Sequence, residues 1–352
     1  MHVVRLHPDG MLRTHDEPDP EPGPGEALVR ITAVGLCGSD RHWYLEHGIG
    51  DASLDRPLIL GHEFGGVAES GQYHGRRVAV DPTAPCWQCD LCRSGRENLC
   101  LDLRFAGHGR TDGALRELIA WPERSIHPLV DELGRDEEAL VEPLAIGIHA
   151  LDLGELRAGA SVAVLGAGPI GLLIVALARE ASAREIVVTD PLPHRLDAAR
   201  SFGATAALGP EDKEAVSAAI GKHGADVLFE AAGDQPAVDD AMELAAQGAT
   251  IVLVGIPGED RTSFTASVAR RKGLVLKLTR RSTASAFGRA VQMANRREID
   301  LGALVSLRVP MDDVQRGFDA LVERAGNKVI VEPTRVVERP ATSAVRTEER
   351  AA

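Results

Sequence analysis

Four cysteines within a short segment are the strongest chemical signal in the chain. They occupy Cys86, Cys89, Cys92 and Cys100, in the run CWQCDLCRSGRENLC. Packing alone does not require four thiols so close together, whereas zinc takes four thiolates in a closed tetrahedral shell that fixes structure. We therefore predict a structural zinc site. An iron–sulfur site and disulfides are the alternatives, and disulfides require an oxidising compartment.

A glycine-rich run is the second signal. It follows the apolar segment SVAVL and reads Gly166, Ala167, Gly168, Pro169, Ile170, Gly171. The first glycine permits a tight turn, the second lets the backbone approach a pyrophosphate, and the third lets helix and strand pack closely. Proline is tolerated at the start of a helix, and free N–H groups there attract phosphate. The run predicts a dinucleotide site, with a glycine turn that binds nothing as the alternative.

Asp190 bears on which dinucleotide binds. It ends the next apolar run, EIVVTD, nineteen residues after Gly171. A carboxylate at this place accepts a hydrogen bond from a ribose 2′-hydroxyl and repels a 2′-phosphate. The sequence therefore favours NAD, while the nearby Arg195 keeps NADP as the alternative.

A third set of candidate ligands is scattered along the chain. Cys37 lies in CGSD, His62 and Glu63 lie in GHE, and Glu142 lies in EPL. One cysteine, one histidine and a carboxylate can form an open zinc site that keeps a position for substrate. Taken singly, such residues are more often a core cysteine or a surface pair, and spacing alone does not bring them together.

The elements that must position these residues change in character along the chain. The first part has short strand patterns and glycine turns, and helical spacing appears in ALVEPLAIGIHALDLGEL. Six apolar runs then alternate with helical patterns, which predicts an α/β doubly wound parallel sheet. Two of the helical patterns, HRLDAARSFG and PAVDDAMELAAQG, end in a glycine suited to a helix C′ position. After about Arg297 the chain returns to short strands around one helix, ending in KVIVEP.

Composition excludes several classes of protein. A length of 352 residues predicts two domains, and a net charge of −13 disfavours nucleic acid and anionic membrane surfaces as partners. The N-terminus lacks an apolar signal core. The apolar stretch at 162–178 is short for a membrane span and is interrupted by glycine and proline. We therefore expect a cytoplasmic protein without a membrane partner.

The order of the motifs resembles one enzyme family. GHEFGG, the four-cysteine segment, EPLAIGIHAL and VAVLGAGPIG follow one another as in the zinc-dependent medium-chain alcohol dehydrogenases, and the chain is most similar to their sorbitol or polyol branch. The resemblance covers about Glu26 to Pro333. It implies a mostly-β GroES-like catalytic domain at 1–147, with the zinc lobe at about 84–102. It also implies a Rossmann NAD-binding domain at 148–296, a return to the catalytic domain at 297–335, and a disordered tail at 336–352.

The same resemblance implies two zinc ions per chain. Cys37 and His62 would bind the catalytic zinc, with Glu63, Glu142 or an exchange between them as the third ligand. Asp40 would hold the His62 ring through its far N–H group.

The resemblance also implies residues for proton transfer. Ser39 and His42 match the family's relay from substrate to solvent. For Ser39 a helix N-cap is the compatible structural role, and for His42 the alternative is a surface histidine.

The segment after CGSD and the segment LKLTRRS bear on the substrate. By resemblance, Trp43 would lie at the pocket wall, and Arg280, followed by Arg281, would donate to substrate hydroxyls. The alternative is that both arginines pair with surface acids. His108 and Gly109 depart from the family, because polyol enzymes often have an aromatic residue in this loop.

The expected function is NAD-dependent oxidation of a secondary hydroxyl of a polyol or sugar to a ketone, by a homo-oligomer that is a dimer or tetramer. A threonine-type amino-alcohol dehydrogenase is the first alternative. A non-catalytic, zinc-stabilised dinucleotide-binding protein is the second.

Overall fold

An antiparallel sheet dominates the first part of the chain. The structure is a computed structural model that describes residues 1–333. The strands up to the first long helix are β1 (His2–Leu6), β2 (Leu12–Asp16), β3 (Glu26–Gly35), β4 (Gly48–Ile49), β5 (Ala52–Ser53), β6 (Glu63–Ala68), β7 (Arg77–Val80), β8 (Thr83–Ala84), β9 (Arg104–Phe105), β10 (Leu118–Pro122) and β11 (Ile126–Pro128). The helices are α1 (Gly38–Glu46), α2 (Asp90–Arg93) and α3 (Arg135–Gly154), with 3-10 turns at Glu97–Leu99 and Glu123–Ser125.

A parallel sheet follows. Its strands are β12 (Ser161–Leu165), β13 (Glu185–Thr189), β14 (Ala206–Leu208), β15 (Ala225–Glu230), β16 (Ala245–Leu253) and β17 (Val275–Leu278). The helices are α4 (Pro169–Glu180), α5 (Pro193–Phe202), α6 (Lys213–Ile220), α7 (Gln235–Leu244), α8 (Ala266–Lys272) and α9 (Ala284–Asn295). The strand order is β14-β13-β12-β15-β16-β17, with every pair parallel, so the predicted doubly wound sheet is confirmed. Its order reverses beside β12, where open sheets form a ligand crevice at the strand carboxyl ends.

The last elements return to the first sheet. They are a 3-10 turn at Leu301–Leu304, β18 (Val305–Pro310), a 3-10 turn at Met311–Asp313, α10 (Val314–Glu323) and β19 (Lys328–Glu332). This sheet has the order β11-β7-β6-β3-β19-β18, and β10 also pairs with β3. All of its pairs are antiparallel except β18 with β19, which are parallel. Strand β19 thus pairs with β3 inside the first sheet. The exact domain boundaries stay a prediction, and the tail at 336–352 lies outside the described residues.

The expected end of α7 is wrong. The sequence predicted a helix that continues to Gly248, but the helix ends at Leu244 and residues from Ala245 onward form β16. Ala245 pairs with Ala225 of β15, and the register shifts before the next pairs. Strand pairing therefore overrides the local helical pattern. At the end of α5 the expected glycine is present, because Gly203 has a φ of 110°.

Helix α3 joins the two sheets. It packs on β3 and β6 on one side and on α4 and α9 on the other. Its side chains at Leu140, Leu144 and Ile148 lie in the core that also covers one face of the parallel sheet. A helix that is apolar on most sides is suited to this buried position. The apolar stretch at 162–178 divides into β12, the glycine turn and α4. Within residues 1–333 no helix combines the length and apolar character that a bilayer crossing needs.

Candidate active site

The Cys37 loop is tied to the His62 loop through one buried carboxylate. Strand β3 ends two residues before Cys37, which is the N-cap of α1. The backbone N–H of Cys37 donates to Asp40 Oδ2 at 2.9 Å, and that of Gly61 donates to Oδ1 at 3.2 Å. Asp40 therefore fixes the backbone beside both candidate ligands. The N-cap expectation for Ser39 is wrong by two positions, because the helix starts at Gly38.

Three candidate ligands meet where β6 begins. The ligand atoms of Cys37, His62 and Glu63 all lie within 4.8 Å of one another. Asp40 Oδ1 lies 3.9 Å from His62 Nδ1, which is beyond hydrogen-bonding distance, so the expected hydrogen bond from the His62 ring is not formed and Oδ1 accepts from the backbone of the preceding Gly61 instead. The fold therefore brings together residues that the spacing alone left apart.

Lys328 is a member of this site that the sequence analysis missed. Its Nζ donates to the two carboxylate oxygens of Glu63 at 2.6 and 2.8 Å and to the carbonyl of Leu36 at 3.1 Å. Both Lys328 and Glu63 are almost fully buried. The available signal was a lysine that opens the otherwise apolar strand KVIVE, because a buried lysine requires an anionic partner.

Glu142 reaches the same buried region from α3. Burial raises its pKa well above the usual value, and the charges of His62, Glu63, Cys37 and Lys328 act on it. It is not among the three residues whose ligand atoms lie within 4.8 Å of one another. In the described structure Glu63 is therefore the carboxylate grouped with Cys37 and His62.

The composition of this site fits a divalent cation. Burial, together with the charge of Glu63, raises the pKa of the Cys37 thiol to about 12. Burial also raises the pKa of Glu142. Lys328 supplies one positive charge, so a metal ion would neutralise the remaining anionic ligands and keep Cys37 a thiolate. One sulfur, one imidazole and a carboxylate suit zinc with an open position.

The four-cysteine lobe fits a closed zinc site. Its four Sγ atoms lie within 4.8 Å of one another, and the closer pairs are separated by 3.5 to 3.9 Å. A tetrahedral site with Zn–S bonds of about 2.3 Å places its sulfurs about 3.8 Å apart. All five cysteines of the chain are free thiols in the structure.

The glycine run forms a cradle at the carboxyl end of β12. Gly166 has a φ of 103°, and a Cβ there would lie 2.7 Å from the backbone nitrogen of Ala232. A Cβ on Gly171 would lie 1.9 Å from the carbonyl oxygen of Gly166. A Cβ on Gly168 would meet only the Arg195 side chain, at 3.7 Å. The first and third glycines are thus needed for packing, and the second leaves space for a ligand beside the N-terminus of α4.

Asp190 and Arg195 lie beside this cradle. Asp190 Oδ2 accepts from the backbone N–H of Ala167, and Oδ1 accepts from that of Leu192, both at 2.9 Å. Arg195 Nη1 is 3.8 Å from Asp190 Oδ2, and its buried Nε has no hydrogen-bond partner. Carboxylate oxygens retain further lone pairs, so Asp190 is still able to accept from a ribose hydroxyl.

One cleft of about 350 Å³ joins the cradle to the metal ligands. Its lining includes Cys37, Glu63 and Lys328 at one end and the glycine run, with Pro169 and Ile170, at the other. Ser39 and His42 also line it. His42 Nδ1 lies 2.9 Å from Glu46 Oε1, so the ring is held by a carboxylate at its outer side.

Aromatic residues surround the His62 end. Phe105 packs against His62, with ring centroids 5.3 Å apart. Trp43, expected at the pocket wall, is buried and contacts His108 edge to face at 5.4 Å. The sequence analysis did not identify Phe105, because its contact with His62 joins residues that are far apart in sequence.

The two arginines after β17 differ in position. Arg281 lies over Phe105, with its Cζ 4.6 Å from the ring centre, whereas the Arg280 side chain is exposed. Within residues 1–333 neither arginine forms an ion pair with an acidic side chain, so the surface-pair alternative does not hold there.

Family models match both parts of the chain. An alcohol dehydrogenase GroES-like domain matches residues 23–131, and a zinc-binding dehydrogenase domain matches residues 169–296.

Individual relatives extend the match. A sorbitol dehydrogenase of Bacillus subtilis is 35% identical over 269 residues, covering 74% of this chain and 76% of the relative. A D-xylulose reductase of Saccharomyces cerevisiae is 34% identical over 309 residues, covering 84% of this chain and 86% of the relative. The crystal structure of L-idonate 5-dehydrogenase from Escherichia coli has a TM-score of 0.85 and 28% identity, covering 94% of this chain and 97% of that one.

Proposed function

The chain belongs to the zinc-binding alcohol dehydrogenase family with a GroES-like domain, and on that premise we propose that it oxidises a secondary hydroxyl of a polyol or sugar to a ketone with NAD. The observation that carries the proposal is the shared cleft, because the candidate metal ligands and the phosphate cradle open into the same space. The relatives named for sorbitol, xylulose and idonate support a polyhydroxylated substrate.

Cys37, His62 and Glu63 would hold the catalytic zinc, with Glu142 beside them as the second carboxylate. When bound, the zinc supplies a Lewis acid that lowers the pKa of the substrate hydroxyl, and the nicotinamide accepts the hydride. Asp40 fixes the two loops that carry Cys37 and His62.

Lys328 holds Glu63 in place from the other side. Ser39 and His42 line the cleft and would carry the substrate proton outward, with Glu46 orienting the His42 ring. The Phe105 ring borders His62.

Cys86, Cys89, Cys92 and Cys100 would hold a second, structural zinc, which gives two zinc ions per chain. The resemblance also supports a homo-oligomeric, cytoplasmic enzyme. Light scattering on the purified protein would give its subunit count.

NAD is proposed as the cofactor because Asp190 lies beside the cradle and would repel a 2′-phosphate. The variant Asp190→Ala is expected to lower the NAD to NADP ratio of kcat/KM by about tenfold, the loss of one charge-assisted hydrogen bond. Arg195→Gln is the control, since it should not favour NADP. An unchanged ratio of NAD to NADP use in Asp190→Ala would indicate that other residues select the cofactor.

The test of the function is NADH formation by the zinc-loaded enzyme. Substrates are sorbitol, xylitol, arabitols, iditol, inositols, glucose, galactose, L-threonine, butanediol and ethanol. Oxidation of a polyol or sugar with preference over ethanol supports the proposal. Preference for L-threonine selects the amino-alcohol alternative. Failure with every hydroxylated compound, while NAD still binds, would favour a non-catalytic binding protein.

A further inference from the structure

Arg281 is placed to contact a substrate bound near His62. It lies in the turn between β17 and α9, at the edge of the parallel sheet where ligands of open sheets bind. Its guanidinium carbon is 4.6 Å from the centre of the Phe105 ring, and the same ring packs against His62. An arginine that follows the last strand of the parallel sheet therefore contacts an aromatic ring that packs on the candidate metal ligand His62.

This cation has no anionic partner among the described residues. Arg5 and Arg77, which are also partly buried, are paired with Glu17 and Glu138, whereas Arg116 resembles Arg281 in forming no ion pair within residues 1–333. Burial and the positive charge of Arg280 lower the pKa of Arg281 to about 10, so it stays charged at neutral pH. Removing a guanidinium from water without an anion costs free energy, and a ligand anion would recover it.

The neighbouring titratable groups add no negative charge at Arg281. Burial and the charges of Arg281, His62 and Arg280 lower the pKa of His108 to about 4, so His108 is neutral near pH 7. The carboxylate of the exposed Asp51 raises the pKa of His108, but its effect is smaller than those that lower it. The surroundings of Phe105 thus contain the guanidinium of Arg281 and a neutral His108 imidazole.

The turn that carries the arginines is anchored by the cysteine lobe. Asn98 Nδ2 donates to the Arg280 carbonyl at 2.9 Å, and Glu97 accepts from the backbone N–H of Ala284 at the start of α9. Arg281 itself has a φ of 56°, in the left-handed region. A backbone held at both ends of the turn keeps the guanidinium fork in place before a ligand arrives, which is the condition for strong recognition.

We propose that Arg281 binds an anionic group, a carboxylate or a phosphate ester, on a polyhydroxylated substrate, so that the enzyme prefers sugar acids or polyol phosphates to neutral polyols. The inference rests on the proposed function and narrows its substrate class. A guanidinium fork matches a carboxylate or phosphate with two parallel hydrogen bonds, whereas a neutral hydroxyl uses one.

The experiment compares matched substrates of equal chain length. They are sorbitol with D-gluconate and L-idonate, and galactitol with galactitol 1-phosphate, each with NAD and the zinc-loaded enzyme. We expect kcat/KM for one anionic series to exceed that of its neutral partner by about 10- to 100-fold, as for a hydrogen-bonded charge pair. The series that gains identifies carboxylate or phosphate as the recognised group.

Variants assign the effect to Arg281. Arg281→Gln should lower kcat/KM for the anionic substrate about tenfold more than for its neutral partner, and Arg281→Lys should retain part of the preference for the anion. Arg296→Gln is the matched control, because Arg296 is exposed and pairs only with Glu298 at 3.4 Å. Calorimetric titration of the NAD-loaded protein with D-gluconate and with galactitol 1-phosphate gives a readout that does not depend on turnover.

Equal or better use of neutral polyols by the wild type would overturn the inference and leave the proposed function intact. Equal losses for neutral and anionic substrates in Arg281→Gln would also overturn it. Absence of turnover with both classes would contradict the proposed function, and the titration would then show whether the anion site exists.

Discussion

The four-cysteine lobe and the Cys37 site place their sulfur ligands in different surroundings. All four thiols of the lobe come from one continuous segment around α2, and Cys86 and Cys89 remain half-buried. The Cys37 site is assembled from the end of β3, the start of β6, α3 and β19. One site is local in sequence, and the other depends on three strands of one sheet and a helix meeting.

The electrostatic surroundings of Cys86 in the lobe and of Cys37 also differ. Backbone N–H groups of Gln88 and Cys89 lower the pKa of the Cys86 thiol to about 6. Burial and Glu63 raise that of Cys37 to about 12. Within the lobe, however, burial and the neighbouring thiols raise the pKa of Cys92 to about 12. Local peptide N–H groups thus favour the thiolate of Cys86, whereas the thiolates of Cys92 and Cys37 both depend on a bound cation. We therefore expect changes in the lobe to affect mainly stability and the loss of Cys37 to affect mainly catalysis.

The largest expected effect is on turnover. Cys37→Ser should lower kcat by more than about 100-fold, because a direct ligand matters more than the outer partners whose loss costs 10- to 100-fold. NAD affinity and melting temperature should stay near the wild-type values, measured by fluorescence titration and calorimetry. Substantial activity in this variant would show that Cys37 is not a metal ligand of the reaction.

The next effect is on the stability of the metal-free protein. Lys328→Met leaves Glu63 buried without its cation, which should cost about 3–5 kcal/mol in unfolding free energy after chelation. Zinc should recover part of the loss, since it offers Glu63 a second partner. Denaturant unfolding with and without chelator measures both values. The double variant Lys328→Met, Glu63→Gln is the control, and the idea fails if it is no more stable than Lys328→Met.

A change in the lobe should lower stability more than activity. Cys89→Ser removes one of four thiolates and should lower the unfolding free energy by about 2–3 kcal/mol, with loss of one zinc ion per chain. Calorimetry and metal analysis test this. Leu101→Ser, at a residue that is 94% exposed beside the lobe, is the control and should change neither quantity. Unchanged zinc content in Cys89→Ser would contradict the structural site.

The smallest expected effect tests whether the lobe positions the turn that carries Arg280 and Arg281. Asn98→Ala removes the hydrogen bond to the Arg280 carbonyl, worth about 1 kcal/mol, and should raise substrate KM about fivefold with kcat little changed. Zinc content should stay constant. An unchanged KM would show that the lobe does not position the arginine turn.

Much of the fold could be predicted from the sequence because its signals are local. Six apolar runs with intervening helices specified the parallel sheet, and the glycine run specified the phosphate cradle. The end of α7 could not be predicted, because Ala245 pairs with β15 instead of continuing the helix. Phe105 and Lys328 were missed for a related reason, since their partners are far away in sequence.

The sequence by itself determined the four-cysteine lobe and the glycine cradle. These features depend on spacing within a few residues, where backbone geometry leaves little freedom. Only the tertiary structure decided that Glu63 rather than Glu142 is grouped with Cys37 and His62, that Lys328 neutralises Glu63, and that Arg281 rather than Arg280 reaches Phe105. These choices depend on distances between residues far apart in sequence, which packing sets and local spacing does not encode.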